Sequence, residues 1–282
     1  MPEPERTDEP CPECEGRGWV LEPDGGAGTA RPCECRRRRL GARLRAAAGI
    51  PERYAECSLD GFRVSGFAAA NGLASSQLIK AKSQTKRYID EFLQPDGRFR
   101  ELGLLFTGPP GTGKTHLAVA VLRELVRRFH IHGRFVDFTS LVHQIQATFD
   151  PGNPDSKRAI LDPVIGADLL VLDELGAQKP TAWVRDTLYL IINSRYTRRR
   201  PTLFTTNYRL ATERPPAPAS QAAKREVLDR GADPVREDFT QLELRISPQL
   251  VSRLYEMTEV VRLDEVDDFR RVVKTRERHF VG

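Results

Sequence analysis

Residues 104–115 read LLFTGPPGTGKT. The last eight of them, Gly108 to Thr115, fit the pattern G-x-x-x-x-G-K-[ST]. An apolar run precedes the motif and a helix-compatible run, 116–128, follows it, which is the strand–loop–helix setting that the motif requires. The glycines allow the backbone to wrap closely around an anion, with N–H groups and a helix start aimed at it. The sequence therefore predicts a phosphate-binding loop.

The loop residues and the residue after them are the candidate ATP contacts. We expect Lys114 to reach the β- and γ-phosphates and Thr115 to ligate Mg²⁺. A chance motif with a purely structural role is the alternative, and the flanking strand and helix argue against it. The full candidate set is Gly108, Pro109, Pro110, Gly111, Thr112, Gly113, Lys114, Thr115 and His116.

A second apolar run, DLLVLDE at 168–174, ends in two carboxylates. We expect Asp173 to hold Mg²⁺ through water and Glu174 to polarise the attacking water, since a metal neutralises one acid and leaves the other for the nucleophile. A strand that ends in an acidic turn is common in isolation. Together with the loop, it predicts hydrolysis of ATP.

A third apolar run, LFTTN at 203–207, ends in Asn207. The carboxyl ends of strands in a doubly wound sheet face the ligand crevice, so Asn207 is a candidate for contact with the γ-phosphate or the water. It could equally cap a turn.

Strand-like and helix-like segments alternate through the second half of the chain. This alternation predicts an α/β fold: a doubly wound, parallel, five-stranded sheet with helices on both faces. An earlier helix is expected at 75–93, with Leu78, Ile79, Ile89, Phe92 and Leu93 buried. The proline-rich and charged segment 209–240 is expected to be a surface insertion or a passive loop. Strand candidates are 104–107, 134–138, 168–172, 203–206 and 260–263, and helix candidates are 114–130, 140–149, 182–199 and 247–256.

Four of the five cysteines occur as two close pairs, Cys11 and Cys14, then Cys33 and Cys35. Four thiolates in paired spacing predict a closed, tetrahedral, structural Zn²⁺ site, with free cysteines as the alternative. A segment this short has too little core to fold without metal. We therefore expect a zinc-ribbon-like module at 1–35, a basic helical linker at 36–50 and an ATPase domain at 51–282.

Composition excludes several classes of protein. Of the 282 residues, 29% are charged, and no apolar run approaches the roughly 18 residues that span a bilayer. The acidic N-terminus, MPEPERTDEP, lacks an apolar signal segment, so a cytoplasmic protein without membrane contact is expected. The net charge of +5 is mild, but Arg36 to Arg39 form a run that could be a solvated helix face or a phosphate contact.

The three motifs, in this order, resemble those of AAA+ ATPases. More narrowly, the chain from about residue 50 onward is similar to the bacterial helicase loaders of the DnaC/DnaI type and the related IstB transposition helpers. The stretches that carry this resemblance are IPERYAECSLDGF (50–62), TGPPGTGKTHLAVAVLREL (107–125), DLLVLDELGAQKPTAWVRDTLYLIINSRY (168–196), RPTLFTTNY (200–208) and LELRISPQLVSRLYEM (242–257).

The resemblance implies roles for two residues. Asn207 matches the family's sensor 1 residue, and Arg253 matches its arginine finger, which completes the site of a neighbouring subunit and is worth about 10³–10⁵ in rate in other systems. Without the resemblance, a surface salt bridge is the default for Arg253. The family pattern also implies a homo-oligomer without a C-terminal helical lid, whose partners are a replicative DNA helicase and single-stranded DNA.

Two other functions remain open on the sequence. An IstB-like transposition helper would share the ATPase core and bind duplex DNA. An ATP-gated binding scaffold would show little turnover, and Glu174 argues against it because a switch that does not hydrolyse ATP has no need of that carboxylate. Preference for duplex or single-stranded DNA separates loader from helper, and turnover tests the scaffold.

Overall fold

The computed structural model describes residues 11–21, 29–64, 72–149, 156–210, 241–266 and 268–269. Most of the predicted insertion, 211–240, lies outside the described residues, as do 270–282, where the absence of a lid was expected.

Five parallel strands form the central sheet, as predicted. They are β3 (Gly103–Thr107), β4 (Gly133–Asp137), β5 (Leu169–Asp173), β6 (Thr202–Thr206) and β7 (Thr258–Arg262), in the spatial order β4-β5-β6-β3-β7. The strand before the phosphate-binding loop therefore lies between β6 and β7. Its position beside the strand that leads to Asn207 puts both carboxyl ends at one crevice.

The three central strands, β5, β6 and β3, bury both of their faces, because successive side chains point to opposite sides of the sheet. Leu104 and Phe106 join one hydrophobic core, whereas Leu105 between them joins the other. The helices α1 (Glu34–Ala47), α2 (Gly72–Asp90) and α3 (Lys114–Phe129) pack into the first core. The second core is covered by α4 (Phe138–Ala147), α5 (Lys157–Gly166), α6 (Ala182–Thr197) and α7 (Pro248–Met257).

The predicted burial of two residues was wrong, and one helix was not predicted. In and after α2, Leu78, Ile89 and Phe92 are buried as expected, but Ile79 and Leu93 are exposed, since only one stripe of this helix faces the core. Helix α5 was not predicted. Pro163 lies inside it, and a proline in mid-helix weakens the helical signal of the sequence.

The cysteine-rich segment forms a short antiparallel hairpin, β1 (Trp19–Leu21) and β2 (Ala30–Pro32). Helix α1 comes next and docks on the first core through Leu44 and Ala48. Among the described residues, no helix combines the length and the apolar character needed to cross a membrane.

Candidate functional site

The phosphate-binding loop connects β3 to α3, and three of its glycines have positive φ. Gly108, Gly111 and Gly113 have φ of 144°, 81° and 92°. A Cβ on Gly108 would lie 2.6 Å from the carbonyl oxygen of Leu263, and one on Gly113 would lie 2.7 Å from the ring of Phe62. Only glycine satisfies both the backbone conformation and the close packing, so the loop's path is fixed by its neighbours.

Lys114 begins α3 and is almost fully buried. Its Nζ donates hydrogen bonds to the carbonyl oxygens of Gly108 and Pro109, each over 2.7 Å. The ammonium group therefore lies inside the curve of the loop. His116, by contrast, points its ring towards Ser58 O, 2.8 Å from Nε2.

The Asp173 carboxylate lies at the end of β5, against the start of α3. Its Oδ1 accepts hydrogen bonds from Thr115 Oγ1 over 2.9 Å and from Thr205 Oγ1 over 2.6 Å. Burial raises the pKa of Asp173, although the hydrogen bonds from both threonines and the charge of Lys114 act in the opposite direction. Asp173 and Thr115 together offer two oxygen ligands of the kind that Mg²⁺ prefers.

The next residue, Glu174, has a positive φ of 58°, which is uncommon outside glycine. The turn is held by β6: the Glu174 N–H donates to Thr205 Oγ1 over 3.0 Å, and the Leu175 N–H donates to the Thr205 carbonyl oxygen over 2.8 Å. The Glu174 side chain is exposed at the mouth of the crevice. Thr205 thus positions both acids, a role that we did not assign from the sequence, although LFTTN contains it.

Asn207 comes directly after β6 and is exposed. Thr206 pairs with Thr107 in the register of β6 and β3, so Asn207 lies level with the first residue of the phosphate-binding loop. The structure therefore brings Lys114, Asp173, Glu174 and Asn207 to one edge of the sheet.

Two further acids, Asp264 and Asp268, follow β7 and lie near the phosphate-binding loop. They were not predicted from the sequence. The Asp268 carboxylate lies beside Gly111, and the Phe269 N–H donates to the Gly111 carbonyl oxygen over 3.1 Å. Burial raises the pKa of Asp264, against the charges of Arg262 and Arg209. No local motif marks these acids, because they are far from the phosphate-binding loop in sequence. They come close to it only because β7 pairs with β3.

Arg253 lies on α7, and its guanidinium packs over two tyrosines of α6. Its Cζ is 4.7 Å from the ring centre of Tyr189 and 5.7 Å from that of Tyr196. Among the described residues, its Nη1 atom is buried without a hydrogen-bond partner. Tyr196 is itself fixed, since its hydroxyl donates to Glu256 over 2.8 Å.

The four paired cysteines form one cluster. Their Sγ atoms all lie within 4.8 Å of one another, with 3.7 Å between Cys11 and Cys33 and 3.4 Å between Cys14 and Cys35. Tetrahedral zinc with bonds of about 2.3 Å separates sulfur atoms by about 3.8 Å, so the cluster fits Zn²⁺. The Gly18 N–H donates to Cys14 Sγ over 3.2 Å. Cys57 lies outside the cluster and is buried.

Part of the chain matches a known family. Residues 55–214, more than half of the 282, match the family described as IstB-like ATP binding protein.

Individual relatives align over a similar share of the chain. The replicative helicase loader DnaC of Escherichia coli is 30% identical over 161 residues, which are 56% of this chain and 58% of that protein. The uncharacterized protein YqaM of Bacillus subtilis is 28% identical over 180 residues, 62% of this chain and 53% of that one. The chain thus spans only a little over half the length of these relatives.

Solved structures agree on the fold. The crystal structure of the DnaC helicase loader superposes with a TM-score of 0.54 at 28% identity, covering 75% of this chain and 99% of that one. The crystal structure of DnaI gives a TM-score of 0.51 at 19% identity, covering 80% and 99%, and bears on the fold alone.

Proposed function

This chain belongs to the family of IstB-like ATP binding proteins, and we propose that it hydrolyses ATP to load or remodel a replicative helicase on single-stranded DNA. The observation that carries the ATPase proposal is the contact of Thr115 with Asp173 beside the buried Lys114. We assign 51–282 as the ATPase domain, with 209–240 as a surface insertion, 36–50 as a basic helical linker and 1–35 as a zinc-binding module.

In this proposal the loop from Gly108 to His116 binds the phosphates through backbone N–H groups. Lys114 exchanges its two carbonyl partners for the β- and γ-phosphates. Thr115 and Asp173 hold Mg²⁺, directly or through water. Bound Mg²⁺ neutralises charge on the phosphates.

Glu174 orients the attacking water and accepts its proton, and Asn207 hydrogen-bonds to that water or to the γ-phosphate. The positive φ of Glu174 sets the direction in which its side chain leaves the backbone. A positioned base of this kind contributes roughly 10²–10⁴-fold in rate.

Arg253 serves the site of an adjacent subunit. Stacking on Tyr189 and Tyr196 holds the guanidinium in one orientation, which favours contact with the γ-phosphate of a neighbouring subunit. A homo-oligomer with ATP at each subunit junction would then be required for full turnover.

The choice of partner rests on the relatives. The DnaC proteins are named replicative helicase loaders, so a replicative DNA helicase and single-stranded DNA are the partners that we propose here. Cys11, Cys14, Cys33 and Cys35 would hold one structural Zn²⁺ in the module ahead of the ATPase domain.

The test is ATP hydrolysis by wild-type protein and by Arg253→Ala across a series of protein concentrations, with and without single-stranded DNA. We expect turnover per chain to rise with concentration and with DNA. Arg253→Ala should lose about 10³-fold or more of it while still binding ATP. The control is Arg98→Ala, an exposed arginine on the loop before β3.

Three outcomes would contradict the proposal. Turnover that is independent of concentration, or that survives in Arg253→Ala, would show that the arginine does not act between subunits. Absence of turnover at every concentration would favour a scaffold.

A second candidate function is favoured by the family match itself, which is to IstB-like proteins. An IstB-like transposition helper would couple the same ATPase site to duplex DNA. Stimulation of turnover by duplex DNA at least as strong as by single strands would favour it over the loader.

A further inference from the structure

The hairpin of the cysteine module exposes an indole ring. Trp19 is 46% exposed, although tryptophan is normally among the more buried residues. The guanidinium of Arg36 lies 4.5 Å from the centre of its ring and covers one face. Nearly half of the side chain remains accessible, and we take this area to include the ring face opposite Arg36.

A row of arginines runs away from this ring along α1. Arg36, Arg39 and Arg43 are spaced i, i+3, i+7, so they share one helix face, and all three are exposed. Gly41, Leu44 and Ala48 have the same spacing but are buried. The row is about 10 Å long at 1.5 Å per residue and lies opposite the docked face.

The surrounding charge is positive. The described residues 11–21 and 29–47 contain eight arginines and three glutamates. A four-thiolate zinc site carries two negative charges, so this part of the molecule stays cationic with the metal bound. Arg39 is also tied to the module, since its Nη2 donates to Cys35 Sγ over 3.3 Å.

We infer that Trp19, Arg36, Arg39 and Arg43, here called the Trp19 surface, bind single-stranded DNA independently of ATP. An unpaired base stacks on the open face of the indole ring, and the arginines contact the neighbouring phosphates of the strand. Duplex DNA fits less well because its bases are already stacked on one another. The inference rests on the proposed function for the choice of DNA, but no part of that function assigns this surface.

The experiment uses the full-length, zinc-loaded chain with Trp183→Phe, so that Trp19 is the one remaining tryptophan of the two. A fluorescein-labelled oligothymidylate reports binding by anisotropy, and Trp19 emission reports stacking, both without nucleotide. We expect quenching by the oligonucleotide and little quenching by a hairpin duplex of the same length.

Three kinds of variant separate stacking from other causes. Trp19→Ala, made in the otherwise wild-type chain, should weaken binding roughly 5- to 150-fold, the value of one stacked base, and Trp19→Phe should recover most of it. Leu21→Ala, on the same exposed hairpin face, should leave binding unchanged. Arg36→Gln and Arg43→Gln should each reduce the magnitude of the negative slope of log K against log salt by about 0.7, because each removes one phosphate contact. Arg98→Gln should leave this slope unchanged.

The inference is overturned if the zinc-loaded wild-type chain binds no single-stranded DNA, or if Trp19→Ala binds it as wild type does. Equal losses for Leu21→Ala and Trp19→Ala would also overturn it, since they would indicate apolar docking rather than base stacking. None of these results bears on the proposed ATPase activity, which Arg253→Ala tests separately. Zinc content measured for each variant shows that its module is intact.

Discussion

The Thr205 hydroxyl donates a hydrogen bond to Asp173 Oδ1 over 2.6 Å and accepts one from the Glu174 N–H over 3.0 Å. One buried side chain on β6 thus orients both acids at the end of β5. Groups that orient a metal ligand are typically worth 10–100-fold in metal affinity or activity. Asp173 is therefore positioned by a neighbouring strand as well as by its own.

We expect Thr205→Val to lower ATP turnover roughly 10- to 100-fold and to raise the Mg²⁺ concentration needed for half-maximal rate. Valine keeps the shape of threonine but removes the hydroxyl that holds both acids. Thr205→Ser should retain most of the activity. Steady-state hydrolysis over a Mg²⁺ series is the measurement.

The matched control is Thr187→Val. Thr187 Oγ1 is buried without a hydrogen-bond partner among the described residues, so its loss should be neutral or mildly stabilising. If Thr205→Val hydrolyses ATP with wild-type Mg²⁺ dependence, Thr205 has no positioning role.

The raised pKa of Asp173 predicts a pH-dependent stability of the ligand-free protein. The folded state binds this proton more tightly than the unfolded state does. Stability should therefore fall as pH rises from the ordinary value of 3.8 through the raised folded pKa, and then level off. Asp173→Asn removes this contribution, so the gain in Tm of the variant over wild type should grow with pH across that window.

Thermal unfolding without Mg²⁺ or nucleotide, at intervals from about pH 4 to 8, measures the difference between the two proteins. ATP with Mg²⁺ should then raise the Tm of wild type and not that of Asp173→Asn. A difference in Tm that stays constant over the pH series would argue that burial of Asp173 costs the folded state nothing.

Arg195 is fully buried and joins α6 to the end of α5 and the start of β6. It donates to the carbonyl oxygens of Val164, Ile165, Ala167 and Pro201, over 2.7–3.2 Å. Burial lowers the pKa of its guanidinium to about 9, so the group remains a charged donor at neutral pH. Without it, the carbonyl oxygens of Val164, Ile165 and Ala167 lose this donor, whereas that of Pro201 still accepts from the Leu170 N–H over 3.4 Å.

Arg195→Met should lower the free energy of unfolding by about 3 kcal/mol or more, since each unsatisfied buried acceptor costs about 1–3 kcal/mol. For a domain of this size, that is about 6–12 °C in Tm. Arg199→Met, at an exposed ion pair with Glu101, should change Tm little. Calorimetry measures the Tm of both variants. Equal decreases in Tm for Arg195→Met and Arg199→Met would contradict a special role for Arg195.

The cysteine cluster predicts one zinc ion per chain, measurable by elemental analysis. Cys14→Ser should lose the metal and make the segment before α1 sensitive to protease, because so short a segment depends on the metal for its fold. ATP binding should survive, since the phosphate-binding loop lies in the separate core around the central sheet. Cys57→Ala, outside the cluster, should keep its zinc. Retention of zinc by Cys14→Ser would exclude a four-thiolate site.

The sheet and most of its helices were predictable because the sequence patterns of strands and of helices each extend over only a few neighbouring residues. Short apolar runs such as LLFT are typical of a buried strand, and the motif at Gly108 predicts the loop and the helix after that strand. Helix α5 was not predicted because Pro163 interrupts its helical pattern. The Ser156 side chain that caps it and its contacts with Arg195 are visible only in the folded chain. Ile79 and Leu93 were misassigned because an apolar residue need not face the core.

The candidate site likewise contains residues that local sequence predicts and contacts that only the tertiary structure forms. Lys114, Thr115, Asp173 and Glu174, like the four paired cysteines, are readable in the chain because their chemistry depends on short spacing within one loop or turn. The pairing of Thr115 with Asp173 spans 58 residues, and that of Thr205 with Asp173 spans 32. The two tyrosines beneath Arg253 and the packing of Phe62 on Gly113 are equally long-range. Such contacts depend on strand order, register and helix packing, which local sequence pattern does not specify.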